Sequence, residues 1–203
     1  MRWGFLSIMC MGLCICGCSD TNLSRIDLQI FQDKKTGAII FAGRPTKITD
    51  GDTIVLANSI KIRMAGIDAP ESRQQCADEK GNEYACGDAA TRHLMQIIGD
   101  GRVQCALHGS DRYGRYLMTC YKPDGTDIHA QMVRDGYAVV STYDPDIYLG
   151  AENEARENKR GIWRGTFHHP HCYRHRKKQN WTVRGLCDGD YTGWDGEKYT
   201  ISK

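Results

Sequence analysis

Between Lys47 and Pro70 the chain reads as three short runs of β-branched and apolar residues, cut apart by turn chemistry. Lys47 to Thr49, Thr53 to Ala57 and Ile60 to Ile67 have the composition of strands. Asp50-Gly51 and Ala57-Asn58-Ser59 have that of the turns between them. Pro70, with no N–H to give to a ladder, stops the third run. Runs this short and this closely spaced commit the region to consecutive strands of one sheet.

The rest of the chain supplies helices and one more hairpin. Ala38 to Ala42 is a further apolar run. Asp88 to Gly99 carries Ala90, Leu94, Ile97 and Ile98 as one apolar stripe, and Gly99 is a stop signal. Val103 to Leu107 and Arg115 to Tyr121 read as strands around the turn Asp111-Arg112-Tyr113-Gly114-Arg115. Thr126 or Asp127 caps a second helix running to Asp135, ended by Gly136. Tyr137 to Val140 reads as a brief strand and Leu149 to Arg160 as a third, mostly charged helix closed by Gly161. The predicted class is α+β: a five-stranded OB-fold β-barrel with about three helices, and a disulfide-stapled C-terminal extension.

The strand region also concentrates chemistry. Asp50, Asp52, Asp68 and Glu71 are hard oxygen donors, suited to Ca²⁺ or Mg²⁺ more than to zinc. Arg63 offers a planar fork matched to a phosphate, and Arg115 offers a second on the hairpin turn. Carboxylates around a metal, facing two arginines, are what phosphodiester hydrolysis needs. The bland alternatives are that Asp50 caps a turn, that Arg63 makes a structural ion pair with Asp68 or Glu71, and that Arg115 and Tyr113 are ordinary hairpin surface. For Asp50 the turn role is the favoured reading.

Formal net charge is +2, so the chain of 203 residues is no polycation. Its charge is uneven: from Arg156 to Arg184 nine basic residues face one acid, Glu157. That segment reads either as a solvated basic face or as a patch for a polyanion. His168, His169, His171, Cys172 and His175 sit within it, and are read as a basic surface ahead of a metal site.

Residues 1–18 read as a targeting segment, with Arg2 as the positive start and an apolar stretch to Gly17 too short to span a bilayer comfortably. Ile15-Cys16-Gly17-Cys18 resembles a bacterial lipobox, which makes Cys18 the lipidation candidate; an ordinary secretory signal is the other reading. Either predicts export, as an envelope lipoprotein of the periplasm or outer membrane or as a secreted protein. Residues 19–36 read as a tether, 37–165 as the folded domain and 166–203 as a basic, His-rich extension. Beyond the targeting segment the cysteines are Cys76, Cys86, Cys105, Cys120, Cys172 and Cys187, an even set in an exported chain, which implies disulfides. Pairing of sequence neighbours is favoured: Cys76 with Cys86, Cys105 with Cys120, Cys172 with Cys187.

Several separated motifs recur here in one order: D-G-D-T at Asp50 to Thr53, R-x-x-x-x-D-x-P-E at Arg63 to Glu71, D-R-Y-G-R at Asp111 to Arg115, V-R-D-G-Y-A at Val133 to Ala138 and G-I-W at Gly161 to Trp163. Together they resemble the staphylococcal-nuclease family over roughly Lys47 to Trp163. The resemblance implies an OB-fold endonuclease acting on DNA and RNA with Ca²⁺, with little sequence specificity and 3′-phosphate products. It implies that Asp52 and Asp68 bind the metal and that Glu71 contacts the attacking water. It implies that Arg63 and Arg115 bind the phosphate and that Tyr113 lines the nucleotide pocket, with Arg112 beside it. Ala69 stands where the family archetype has threonine, keeping the backbone carbonyl but losing a hydroxyl. Tyr143 is the candidate for a second base-stacking aromatic. A monomer is expected, with membrane contact only through a lipid at Cys18. The competing expectation is a non-catalytic nucleic-acid-binding OB module of the envelope, disfavoured because Asp52, Arg63, Asp68, Glu71 and Arg115 are all present.

Overall fold

The computed structural model describes residues 27–143 and 146–175. The targeting segment with Cys18, and Cys187, lie outside the described residues. Strands β1 (Leu28–Gln32) and β2 (Ile39–Gly43) form an antiparallel hairpin. Strands β3 (Lys47–Asp50), β4 (Thr53–Leu56) and β5 (Ile60–Met64) follow as a meander. The Asp50-Gly51 and Ala57-Asn58-Ser59 turns fall where the sequence puts them, and Asn58 takes a left-handed φ of 57° in the second. Strand β6 (Ile67–Asp68) then leads to a hairpin of β7 (Gln75–Ala77) and β8 (Glu83–Ala85).

Helix α1 (Cys86–Ile98) buries Ala90, Leu94 and Ile98 on one face. Strands β9 (Val103–Ser110) and β10 (Tyr116–Tyr121) form the expected hairpin. Helix α2 (Ile128–Arg134) begins at Asp127, whose carboxylate accepts the His129 and Ala130 N–H groups, a normal capping arrangement. Strand β11 (Val139–Val140) pairs with β6, and helices α3 (Leu149–Glu157) and α4 (Pro170–His175) complete the order.

The α+β class holds, but the sheet is not a closed five-stranded barrel. Its order is β1-β2-β9-β10-β5-β4-β3, seven strands with β1 and β3 at the two ends. The pairing of β10 with β5 is parallel and the other contacts of this sheet are antiparallel, so the sheet is mixed. The segment read as an irregular tether supplies β1 from Leu28 onward. Its short apolar-polar alternation is too weak to read alone, and pairing with β2 decides it. Helix α4 lies within the segment read as a basic, His-rich extension.

One core packs the sheet against α1 and α2, with Ile54, Leu56, Ile62, Leu94, Met118 and Met132 essentially sealed from solvent. A smaller cluster joins Cys76, Cys86, Val139, Ile162, Trp163 and Phe167. The disulfides Cys76–Cys86 and Cys105–Cys120 form as expected, the second between directly paired positions of β9 and β10. Cys172 is disulfide-bonded as well.

His129 is fully buried in the main core, accepting the Cys120 N–H at Nε2 (2.9 Å) while Nδ1 lies 2.8 Å from the Ala65 carbonyl oxygen. Those partners fix a neutral ring, and burial pulls its pKa down to about 4. A histidine with a depressed folded pKa adds stability above its unfolded value of about 6.5, and that contribution is lost as pH falls toward 4. NMR titration of the His129 ring is therefore expected to give a midpoint near 4. A midpoint near the free-histidine value would show that water reaches the ring.

Candidate active site

The turn between β3 and β4 sets the first acid. Asp50 accepts the Asp52 N–H at Oδ1 (3.1 Å), the turn-capping role favoured for it. Gly51 is required there: a Cβ at this position would lie 2.7 Å from the Ala69 Cβ and 2.8 Å from the Ala90 Cβ. The tight turn directs Asp52 inward, where it is 6% exposed. Its Oδ2 accepts the Ala69 N–H (2.8 Å) and pairs with Arg63 (2.7 Å).

Arg63 comes from β5, opposite Thr53 in register, on the strand face away from the core residues Ile62 and Met64. Its two terminal nitrogens bridge Asp52 and Asp68, the latter at 2.9 Å. The ion pair foreseen with Asp68 is thus real and extends to Asp52. Asp68 is held by the pairing of β6 with β11 and is 4% exposed. Burial alone would lower the Arg63 pKa, but the two carboxylates outweigh it and hold the guanidinium charged. Burial pushes the Asp52 carboxyl up to about 7; Arg63 opposes that, while Asp50 and Asp68 add to it.

Glu71 follows on the loop after Pro70. Gln74, completely buried, clamps that loop: its Oε1 accepts the Glu71 N–H (3.1 Å) and its amide donates to the His168 carbonyl (2.6 Å). Gly87 at the start of α1 lets the loop close, since a Cβ there would overlap the Glu71 carbonyl oxygen. Sequence reasoning passed over Gln74, because a glutamine in a polar loop carries no periodic signal.

It also passed over Arg174, counted only as one basic residue among nine. From α4 its guanidinium grips both oxygens of Asp68 (2.8 and 2.6 Å) and Oε1 of Glu71 (2.5 Å). Asp52, Arg63, Asp68, Arg174 and Glu71 form one chain of ion pairs, three carboxylates against two guanidiniums. For residues 166–175 the expectation of a basic, solvated surface is corrected; residues 176–203 lie outside the described residues. His169 and His171 are buried, and Phe167 packs edge-on to Trp163.

Arg112, Tyr113 and Arg115 lie on the hairpin turn. Asp111 holds the Arg115 guanidinium at 2.8 and 2.7 Å, and both arginines sit over the Tyr113 ring, at 5.0 Å for Arg112 and 5.7 Å for Arg115. Tyr113 is 69% exposed, an open aromatic face. In the parallel β10–β5 pairing Leu117 stands opposite Arg63. Arg115 lies two residues earlier, just ahead of β10, with its guanidinium held by Asp111. Tyr143 is also open, 82% exposed, and edge-on to His171 at 6.2 Å.

Asp52 and Asp68 are buried oxygen donors with Ala69 adjoining, a donor type that suits a hard cation. Among the described residues no three His, Cys, Asp or Glu side chains are grouped as a ready cage, and guanidiniums occupy both Asp68 oxygens. The oxygen donors suit such an ion in kind, while Arg63 and Arg174 both hold Asp68 here.

The family described as "Staphylococcal nuclease homologue" matches residues 61–165. A protein of Rhizobium meliloti (strain 1021) named "Succinoglycan biosynthesis protein ExoI" is 36% identical over 124 residues, 60% of this chain and 64% of its own length. An "Uncharacterized endonuclease" of Escherichia coli O157:H7 is 37% identical over 141 residues, 66% of this chain and 86% of its own. A "Micrococcal nuclease" of Shigella flexneri is 37% identical over 139 residues, 61% of this chain and 74% of its own.

Proposed function

Because this chain belongs to the staphylococcal nuclease family, and is thereby a nuclease-type hydrolase, we propose that it is a Ca²⁺-dependent endonuclease cutting phosphodiester bonds of DNA and RNA. The observation that carries this reading is the buried Asp52–Arg63–Asp68 bridge with Glu71 linked to it through Arg174. A merely structural ion pair does not require a third carboxylate at the edge of the same cluster.

Asp52, Asp68 and the Ala69 carbonyl would hold the cation. When bound it supplies Lewis-acid polarisation of a phosphoryl oxygen. The protein's own groups do the remainder. Glu71, about one-third exposed, orients the attacking water and accepts its proton. Arg63 and Arg115 hydrogen-bond the phosphate and match the charge that grows in the five-coordinate transition state. The P–O bond to water forms as the P–O5′ bond breaks, the leaving 5′ oxygen takes a proton from solvent, and the phosphate stays on the 3′ side. Tyr113 and Tyr143, both wide open, supply stacking faces for bases, which are read through their π-surfaces with little sequence preference.

We also propose export, as a monomeric envelope or secreted enzyme. The support is the disulfide bonding, Cys76–Cys86 and Cys105–Cys120 among it, which persists in oxidising compartments, together with the targeting composition of residues 1–18 and the lipobox-like run ending at Cys18. Among the described residues no helix is long and apolar enough to cross a membrane.

The test is direct. Oxidised protein is incubated with single-stranded DNA and with RNA, with Ca²⁺ and then with excess chelator. Cutting that needs Ca²⁺ and stops with chelator is expected. Binding without cutting would favour the non-catalytic module, and undiminished cutting in chelator would remove the metal from the reading.

A further inference from the structure

The strongest feature outside the family-matched residues 61–165 is the arm that follows them. Residues 166–174 lie along the Glu71 loop. Thr166 exchanges backbone hydrogen bonds with Ala77 (2.9 and 3.0 Å), the Gln74 amide reaches the His168 carbonyl, and the Tyr173 hydroxyl donates to the Arg73 carbonyl (2.8 Å). The arm is sealed at its root, where Phe167 is 2% exposed. It is open at its tip, where the Arg174 side chain is 32% exposed.

That tip delivers a monovalent cation to the acids. Arg174 takes both oxygens of Asp68 and one of Glu71, a bidentate, charge-assisted grip. A Ca²⁺ ligand oxygen must lie about 2.3–2.6 Å from the ion. The guanidinium stands in that space, and the ion's charge repels it. The two cations therefore exclude each other at Asp68.

We propose that Arg174 is a built-in counter-cation that competes with the divalent ion for Asp68 and Glu71, so that loading the site requires the tip of the 166–174 arm to lift while its root stays packed. The proposal rests on reading Asp52 and Asp68 as cation ligands. Without the ion, Arg174 compensates Asp68 and Glu71 and closes the site; with the ion it is released toward the solvent side and Glu71 is freed to meet water. The price of that protection is metal affinity: an arm engaged about 90% of the time weakens the apparent affinity about tenfold.

Calorimetric titration of Ca²⁺ into the oxidised full chain, and into Arg174→Ala and Arg174→Gln, tests this. Both variants are expected to bind Ca²⁺ about tenfold more tightly than the parent. Hydrogen exchange gives a second readout on the unaltered protein: the amides of residues 172–174 are expected to exchange faster with saturating Ca²⁺, and those around Phe167 to stay as they are. Unchanged or weaker Ca²⁺ affinity in both variants, or exchange at 172–174 indifferent to Ca²⁺, would overturn the competition and leave Ca²⁺ dependence standing. Failure of all three proteins to bind Ca²⁺ would overturn both.

Discussion

Arg63→Ala is expected to lower the rate of phosphodiester cleavage by ~10²–10³ and to destabilise the fold by ~3–5 kcal/mol. The two losses have separate causes. The rate falls because a guanidinium that stabilises the transition-state phosphate is gone. Stability falls because Arg63 is the cation between Asp52 and Asp68, both nearly sealed from water. The pH dependence follows from sign. Burial already raises the Asp52 carboxyl to about 7, and losing Arg63 pushes it higher still. A carboxyl whose folded pKa lies above its unfolded value destabilises the fold increasingly as pH rises between the two. The deficit of the variant is thus smallest in acid and largest above neutrality, as urea unfolding at several pH values will read. Arg63→Lys keeps the charge but not the fork, and is expected to recover part of the stability and little of the rate. A folded Arg63→Ala protein cutting at nearly full speed would remove Arg63 from the phosphate site.

Glu71→Gln is expected to cut the rate by ~10²–10⁴, the usual range for a lost general base. Its effect on stability should stay within about 1 kcal/mol. Glu71 sits at the rim, its side chain about one-third exposed, and its ion pair with Arg174 is correspondingly screened. The backbone N–H that Gln74 holds is untouched by the change. The contrast with Arg63→Ala is diagnostic: one substitution separates rate from stability, the other lowers both. Near-normal cutting by Glu71→Gln would leave water orientation to another group.

Much of the sheet was legible because its signals are local. The turns at Asp50-Gly51 and Asn58-Ser59, the Asp127 cap and the apolar stripe of α1 each depend on residues close in sequence. The Cys76–Cys86 and Cys105–Cys120 pairs were readable for the same reason. The convergence of Asp52, Arg63 and Asp68 was also within reach, since strands of known spacing bring them together. What failed was long-range. Leu28–Gln32 becomes a strand because β2 offers it an edge, a fact absent from its own composition. The sheet gains two strands beyond the five expected and does not close. Gln74 and Arg174 act through partners about 94 and 106 residues away in sequence, respectively, and a single arginine in a basic stretch gives no sign of which acid it meets. The same stretch read as solvated surface because His169, His171 and Phe167 find cover only in the folded chain.

The sheet order has a consequence for how the molecule comes into being. The β9–β10 hairpin lies between the β1–β2 ribbon and the β3–β4–β5 ribbon, and it is what joins them. A nascent chain that has emerged only as far as residue 100 holds two unconnected ribbons. The pairings that join them become available once Tyr121 is made, when Asp52, Arg63, Glu71 and Arg115 are already present, and the counter-cation of Asp68 and Glu71 follows only with Arg174.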